Sequence, residues 1–319
     1  MNENLIQYFN GDELAASVWQ GKYAQAGEET PNDMHKRMAR EFAKIEDYYQ
    51  QEENPYADEH LSAYGKEREP LTEESIYELF KNFKYIVPQG SVMSMLGSDK
   101  IGSLSNCFVV GQPYDSYGGI MQKDEQLAQL MKRRGGVGID ISTLRPAGTK
   151  VTNAAGTSTG AISFMERFSN TTREVAQNGR RGALMISMDI RHPDIEEFIT
   201  IKQDLSKVTG ANISIQLRDD FMEAVRKNED YILRFPCDFD NEDFINGLGL
   251  KNNEISWINN NETGKQELIL KKVRAREVWD KIIQAAHASA EPGLMFLDKH
   301  WDYSPDGVYP QYRGVTTNP

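Results

Sequence analysis

The chain has 319 residues, 39% hydrophobic and 26% charged, with a net charge of −12. That length allows one large domain or two smaller ones. The negative charge argues against a nucleic-acid polymer as partner, because a polyanion is held by a basic surface. A single nucleotide stays open, since its phosphates need only a few local arginines and backbone N–H groups. No apolar run reaches the ~18 residues of a bilayer span. The opening Met1-Asn2-Glu3-Asn4-Leu5-Ile6 lacks the basic-then-apolar order of a signal peptide. The two cysteines, Cys107 and Cys237, lie far apart and form no disulfide framework. The expected compartment is the cytoplasm, without membrane or DNA as partner.

Taken in order, residues 1–85 read as helical. Apolar residues recur at helical spacing over 12–20 and 34–51, and Thr30-Pro31 is a start signal for the second of these. Thr72-Glu73-Glu74-Ser75 reads as an N-terminal cap leading into 76–83. From about residue 103 the texture changes. Apolar runs at 104–110, 137–141, 183–188, 211–217 and 232–235 alternate with helical patterns at 124–134, 161–177, 193–201 and 219–228. Such alternation predicts a parallel sheet covered or closed by helices. Residues 241–264 are polar and Asn-rich and read as a surface insertion. A helix is predicted over 276–290, a short strand over 294–297, and irregular chain beyond 303.

Several segments carry candidate chemistry. Cys107 lies in the first apolar run, either as an inert core thiol or as a donor of reducing equivalents at a strand end. Gly135-Gly136-Val137-Gly138 runs from helix into strand, the reverse of a dinucleotide fingerprint, so a Rossmann reading is rejected. The loop from Leu144-Arg145-Pro146 through Lys150 to Gly160 is rich in hydroxyls and ends at a helix start; it is a solvated loop or an anion-binding one. Gln177-Asn178-Gly179-Arg180-Arg181-Gly182 suits a mobile phosphate clamp and equally a plain surface turn. The five histidines show no metal-ligand spacing, and no nucleophile elbow or P-loop is present.

Six stretches carry a family likeness: Ser105-Asn106-Cys107, the Lys132–Gly138 segment, Leu144-Arg145-Pro146, Phe164-Met165-Glu166-Arg167-Phe168, Gln177–Ala183 and the closing Thr317-Asn318-Pro319. In order and spacing they resemble the large, catalytic subunit of ribonucleotide reductase from about residue 85 onward. The resemblance implies an α/β fold: an N-terminal helical region over 1–85, then the first half of a ten-stranded α/β barrel over 86–319.

It also implies a reaction, thiyl-radical reduction of ribonucleotides. A cysteine radical takes the 3′ hydrogen of the ribose, and two further thiols reduce the 2′ carbon and become a disulfide. Cys107 falls at the first of that reducing pair, and Asn318 opens the Asn-x-Cys-x-Glu motif and would bond the ribose hydroxyls. The radical cysteine, its glutamate and the second redox cysteine would follow Pro319, in a C-terminal piece separated by a gene split or an intein, or in the rest of a truncated sequence. Cys237 matches none of these positions.

By the same carry-over Ser91, Ser105, Asn106 and Arg181 would meet substrate. Asp115, Ser116, Arg145, Lys150 and Gln177 would form an allosteric site for a deoxynucleoside triphosphate or ATP. The helix at 124–134 would join a homodimer. Control by an ATP-binding cone is not expected. The radical source is taken as a separate metal-carrying small subunit, with adenosylcobalamin as the alternative, and thioredoxin or glutaredoxin would act through the C-terminal part. The competing reading is a binding module that holds effector and dimerises but performs no chemistry alone.

Overall fold

The computed structural model describes residues 2–50, 62–151, 153–175, 182–237, 249, 255–259 and 267–305. They form two compact units, Met1–Asn106 and Cys107–Pro319. The division falls after Asn106, beyond the expected boundary at residue 85. Residues near 106 stay with the helices because Asn106 accepts from the Ser91 amide (3.0 Å) and donates to Gln89 (2.9 Å).

The first unit is helical: α1 (Glu3–Tyr8), α2 (Glu13–Lys22), α3 (Pro31–Gln50), α4 (Ala63–Glu67), α5 (Glu73–Phe80) and α6 (Gly90–Met95). Asp12 caps α2 by accepting from the Ala15 amide, and Thr72 and Ser75 form a reciprocal capping box on α5. Met34 and Met38, one turn apart on α3, are fully buried against Leu5, Trp19, Ile76 and Phe80. His35 is buried in the same helix, edge-on to Phe83 and stacked on Phe80. Burial drives its pKa from the usual 6.5 to about 4, with Glu28 opposing.

The second unit alternates strands and helices. In order these are β1 (Cys107–Val109), α7 (Tyr117–Met131), β2 (Gly136–Asp140), α8 (Met165–Glu174), β3 (Leu184–Asp189), α9 (Ile195–Thr200), β4 (Asn212–Leu217) and α10 (Asp219–Lys227). Then follow β5 (Asp230–Phe235), β6 (Ile255–Asn259), β7 (Glu267–Arg274), α11 (Ala275–Ser289), β8 (Gly293–Phe296) and α12 (Leu297–Tyr303). Strands β1-β2-β3-β4-β8 form one five-stranded sheet in that order, and every pairing is parallel. This is an α/β fold with a partial parallel sheet. Val137, Ile139, Leu184, Ile186, Met188, Ile213 and Ile215 turn one sheet face into the main core, where Phe168 of α8 and Phe198 of α9 cover it. None of the helices among the described residues is long and apolar enough to cross a membrane.

Three expectations change. The run at 232–235 is a strand, but it leaves the parallel sheet and pairs antiparallel with β7, which also pairs with β6. Part of the stretch read as a surface insertion is therefore strand β6, whose short apolar run of Ile255, Trp257 and Ile258 lies between Asn-rich flanks. The helix expected from 124 starts at Tyr117, capped by Ser116. Gly119 is needed for packing: a Cβ there would lie 2.3 Å from the Tyr114 carbonyl oxygen.

Phe168→Ala should cost the second unit about 3–5 kcal/mol in urea unfolding, whereas Leu205→Ala, 79% exposed, should stay within about 0.5 kcal/mol. For the first unit, a histidine with a lowered pKa contributes stability that is present above its unfolded pKa. Stability should therefore fall as pH drops from 6.5 toward about 4, followed by the Trp19 indole resonance in urea titrations, and His35→Phe should remove that pH dependence.

Candidate functional site

Parallel register decides which side chains share the sheet's second face. Cys107 pairs with Gly136 and Val109 with Gly138. Gly138 continues to Met185 and Asn212, and Asp140 to Ser187, Ser214 and Gly293. The next row holds Asp189, Gln216 and Met295. This face thus opposes the apolar one with a thiol, glycines, hydroxyls and carboxylates. It is exposed at Cys107, Val109 and Asn212, and buried at Asp140, Ser187, Ser214 and Gln216.

The two thiols differ sharply. Cys107 is exposed at the start of β1 and is not in a disulfide. Cys237, after β5, is buried with its Sγ 3.7 Å from the Ser142 carbonyl oxygen. Burial pushes its thiol well above the ordinary range, so it holds its proton and is inert.

At the carboxyl ends of β2–β4, where open α/β sheets hold ligands, Asp140 is buried among neutral partners and Asp189 among paired charges. Burial raises the Asp140 carboxyl to about 6, although Ser142, Gln112 and Gln216 hydrogen-bond it. Asp189 accepts from Arg191 (Nη2, 2.9 Å) and from Arg218 (Nη2, 2.7 Å). Burial alone would raise its pKa, but the two guanidinium groups outweigh that and hold it low. Arg218 also donates to Asp298 at 2.8 Å and stacks 4.5 Å from the Trp301 ring centroid. Asp140, Asp189 and Arg218 were not picked out from the sequence. The signal was there in charged residues ending apolar strands, where a sheet core would not place them unpaired.

The expected contact residues fall into groups. In the first unit, Ser91 is buried and both its amide and hydroxyl donate to Asn106, while Ser105 is exposed and its amide donates to Ser103. In the second, Asp115 accepts from the Arg145 amide (3.1 Å) and Nε (2.7 Å). Arg145 Nη1 donates to the Lys150 carbonyl at 3.2 Å. The structure therefore brings Asp115, Arg145 and Lys150 together. Ser116 lies beside them in sequence, its hydroxyl accepting from the Gly119 amide as a helix cap. Gln177, Arg181 and Asn318 lie outside the described residues.

Exposure and ionisation predict a clear chemical contrast. Iodoacetamide should alkylate Cys107 in the folded chain and reach Cys237 only after denaturation, as read by peptide mass spectrometry.

The family model of the ribonucleotide reductase barrel domain matches residues 105–305. The chain is 36% identical over 215 residues to a vitamin B12-dependent ribonucleoside-diphosphate reductase of Thermoplasma acidophilum, covering 67% of this chain and 24% of that protein. It is 33% identical over 222 residues to the enzyme of the same name from Mycobacterium tuberculosis (69% and 28%). Against the ribonucleoside-diphosphate reductase large subunit of Caenorhabditis elegans it is 27% identical over 201 residues (61% and 25%). The chain thus spans about a quarter of the length of the curated relatives it matches. The expectation of a metal-carrying small subunit is corrected here, for the higher identities are with reductases named for vitamin B12 dependence. The features that separate the two types are not among the motifs that carried the resemblance. With its barrel-domain match extending over the whole parallel sheet, the chain belongs to the ribonucleotide reductase family.

Proposed function

We propose that this chain is the nucleotide-binding and thiol-bearing portion of a ribonucleotide reductase catalytic subunit, and that it completes the reaction only with a further portion of that subunit. The observation that carries this reading is the place of Cys107. It is exposed on the polar face of the parallel sheet, within the stretch that matches the barrel domain. In the reaction, Cys107 and a second thiol from the further portion are oxidised to one disulfide. Their two electrons and two protons replace the 2′ C–O bond by C–H and release water. A dithiol reductant then restores the pair. Ser91, Ser105, Asn106, Arg181 and Asn318 are proposed to position the ribonucleotide, and the setting is the cytoplasm.

The radical source proposed is adenosylcobalamin, by likeness to the B12-dependent relatives. Gly136 and Gly138 place no side chain on the face beside Cys107, but both are buried, so the described residues show no space for so large a cofactor there. When bound, that cofactor would supply the radical that starts the chemistry.

Control is proposed to come from a deoxynucleoside triphosphate or ATP held at Asp115, Ser116, Arg145, Lys150 and Gln177. The chemistry of the loop supports this: a guanidinium suits phosphate, and a carboxylate suits ribose hydroxyls. Effector contacts would then bias loop conformation and so the choice of base. Helix α7 leaves Tyr117 and Met121 exposed, which suits a homodimer contact beside that site.

Calorimetry with ATP and dATP tests the reading. The full chain should bind a nucleotide, and Arg145→Ala should weaken binding about tenfold or more, as loss of a charge-assisted contact does. Unchanged affinity in that variant would refute the assignment.

A further inference from the structure

The loop carrying Arg145 and Lys150 emerges from the sheet after β2 and returns to the helical turn before α8. Its amides and carbonyls close on one another. Gly148 donates to the Ser158 carbonyl (2.9 Å), Ser158 to Thr149 (2.7 Å) and Val151 to Gly156 (3.0 Å). Those bonds shape the loop but do not fix it to the body of the unit. Besides Asp115, which holds the Arg145 amide and guanidinium, two side chains on the turn between β3 and α9 do so.

The first is His192, fully buried. Its Nδ1 accepts the Asp194 amide proton at 3.0 Å, so the ring proton sits on Nε2, which donates to the Leu144 carbonyl at 2.8 Å. Burial lowers the His192 pKa, in keeping with a neutral ring that must accept at one nitrogen and donate at the other. The second is Asp194. Its carboxylate accepts from the Ala147 amide (3.1 Å to Oδ2) on the outgoing arm and from the Ala161 amide (3.2 Å) on the returning arm. The arms meet at Gly160, whose φ is +86° and where a Cβ would lie 2.8 Å from both the Ala147 nitrogen and Asp194 Oδ2. The clamp thus occupies the space that any larger residue would need.

Arg145 sits inside this device. The carbonyl before it is held by His192 and the amide two residues after it by Asp194. We infer that His192 and Asp194 are positioning residues of the effector loop, clamping its neck so that Arg145 is presented in one place. The role rests on reading that loop as the nucleotide-effector site; the clamp itself stands on geometry alone. Neither residue was picked out for a role from the sequence, where Asp194 falls in the helical pattern at 193–201.

The test compares Asp194→Ala, Asp194→Asn and Arg145→Ala in the full chain, by amide hydrogen exchange and by ATP calorimetry. Losing two hydrogen bonds to a carboxylate should speed exchange at Gly148, Val151 and Ser158 about tenfold in Asp194→Ala, with Ile139 and Ile213 in the sheet unchanged. ATP affinity should fall about tenfold in the same variant. Asp194→Asn, which keeps one acceptor oxygen for two amides, should lie between. Loop amides that exchange as in the wild type would overturn the inference, as would equal acceleration in loop and sheet. So would unchanged ATP affinity in Asp194→Ala when Arg145→Ala has lost it. If the wild-type chain binds no ATP, the effector reading falls, and the exchange measurement alone decides the clamp.

Discussion

Unbroken parallel pairing of five strands commits every second residue to one of two faces, and here one face is apolar throughout while the other mixes polar groups with Val109, Met185 and Met295. One carries Val137, Ile139, Ile186, Ile213 and Ile215 into a core covered by helices. The other carries Cys107, Gly138, Asp140, Ser187, Ser214 and Gln216 in transverse rows. A shift of one residue in any strand would exchange the two sets. The apolar core therefore fixes the register, and the register places the thiol on the polar face.

On that face Asp140 is held by neutral partners, while Asp189 is held by two guanidinium groups. An isolated buried Asp189 or Arg218 would cost several kcal/mol, on the order of 3–5 once its partner was removed. Together with Arg191 and Asp298 they satisfy one another. The same logic separates the two cysteines. Cys237 is held protonated in a buried corner behind this network, while Cys107 stands at the exposed end of the face. Of the two thiols, one is thus open to solvent and one is packed in the interior.

Much of the fold was readable in the sequence where hydrophobic period and strand length agree. The runs at 137–141, 183–188 and 211–217 became β2, β3 and β4 within a residue or two. Pairing partners were less readable: β5 has the same apolar texture as the strands of the parallel sheet but is captured by β7, a long-range choice that no local pattern encodes. Of the candidate site, Cys107 and Arg145 were expected from motif stretches and Asp115 from the family likeness. The buried polar residues around the strand ends were not. Asp194, His192, Asp189 and Arg218 act through contacts made only when distant turns meet, and each alone looks like an ordinary polar residue after a strand.

The account's central claim is that the Cys107 thiol is one of two that reduce the ribose. The most direct measurement combines the full chain with a polypeptide carrying the remaining barrel of a B12-dependent relative, adenosylcobalamin, a ribonucleotide and a dithiol reductant, and follows deoxyribonucleotide formation. Sustained product from the wild type and from Cys237→Ser, with none from Cys107→Ser, is the predicted result. Undiminished turnover in Cys107→Ser, or no product from any combination, would contradict it.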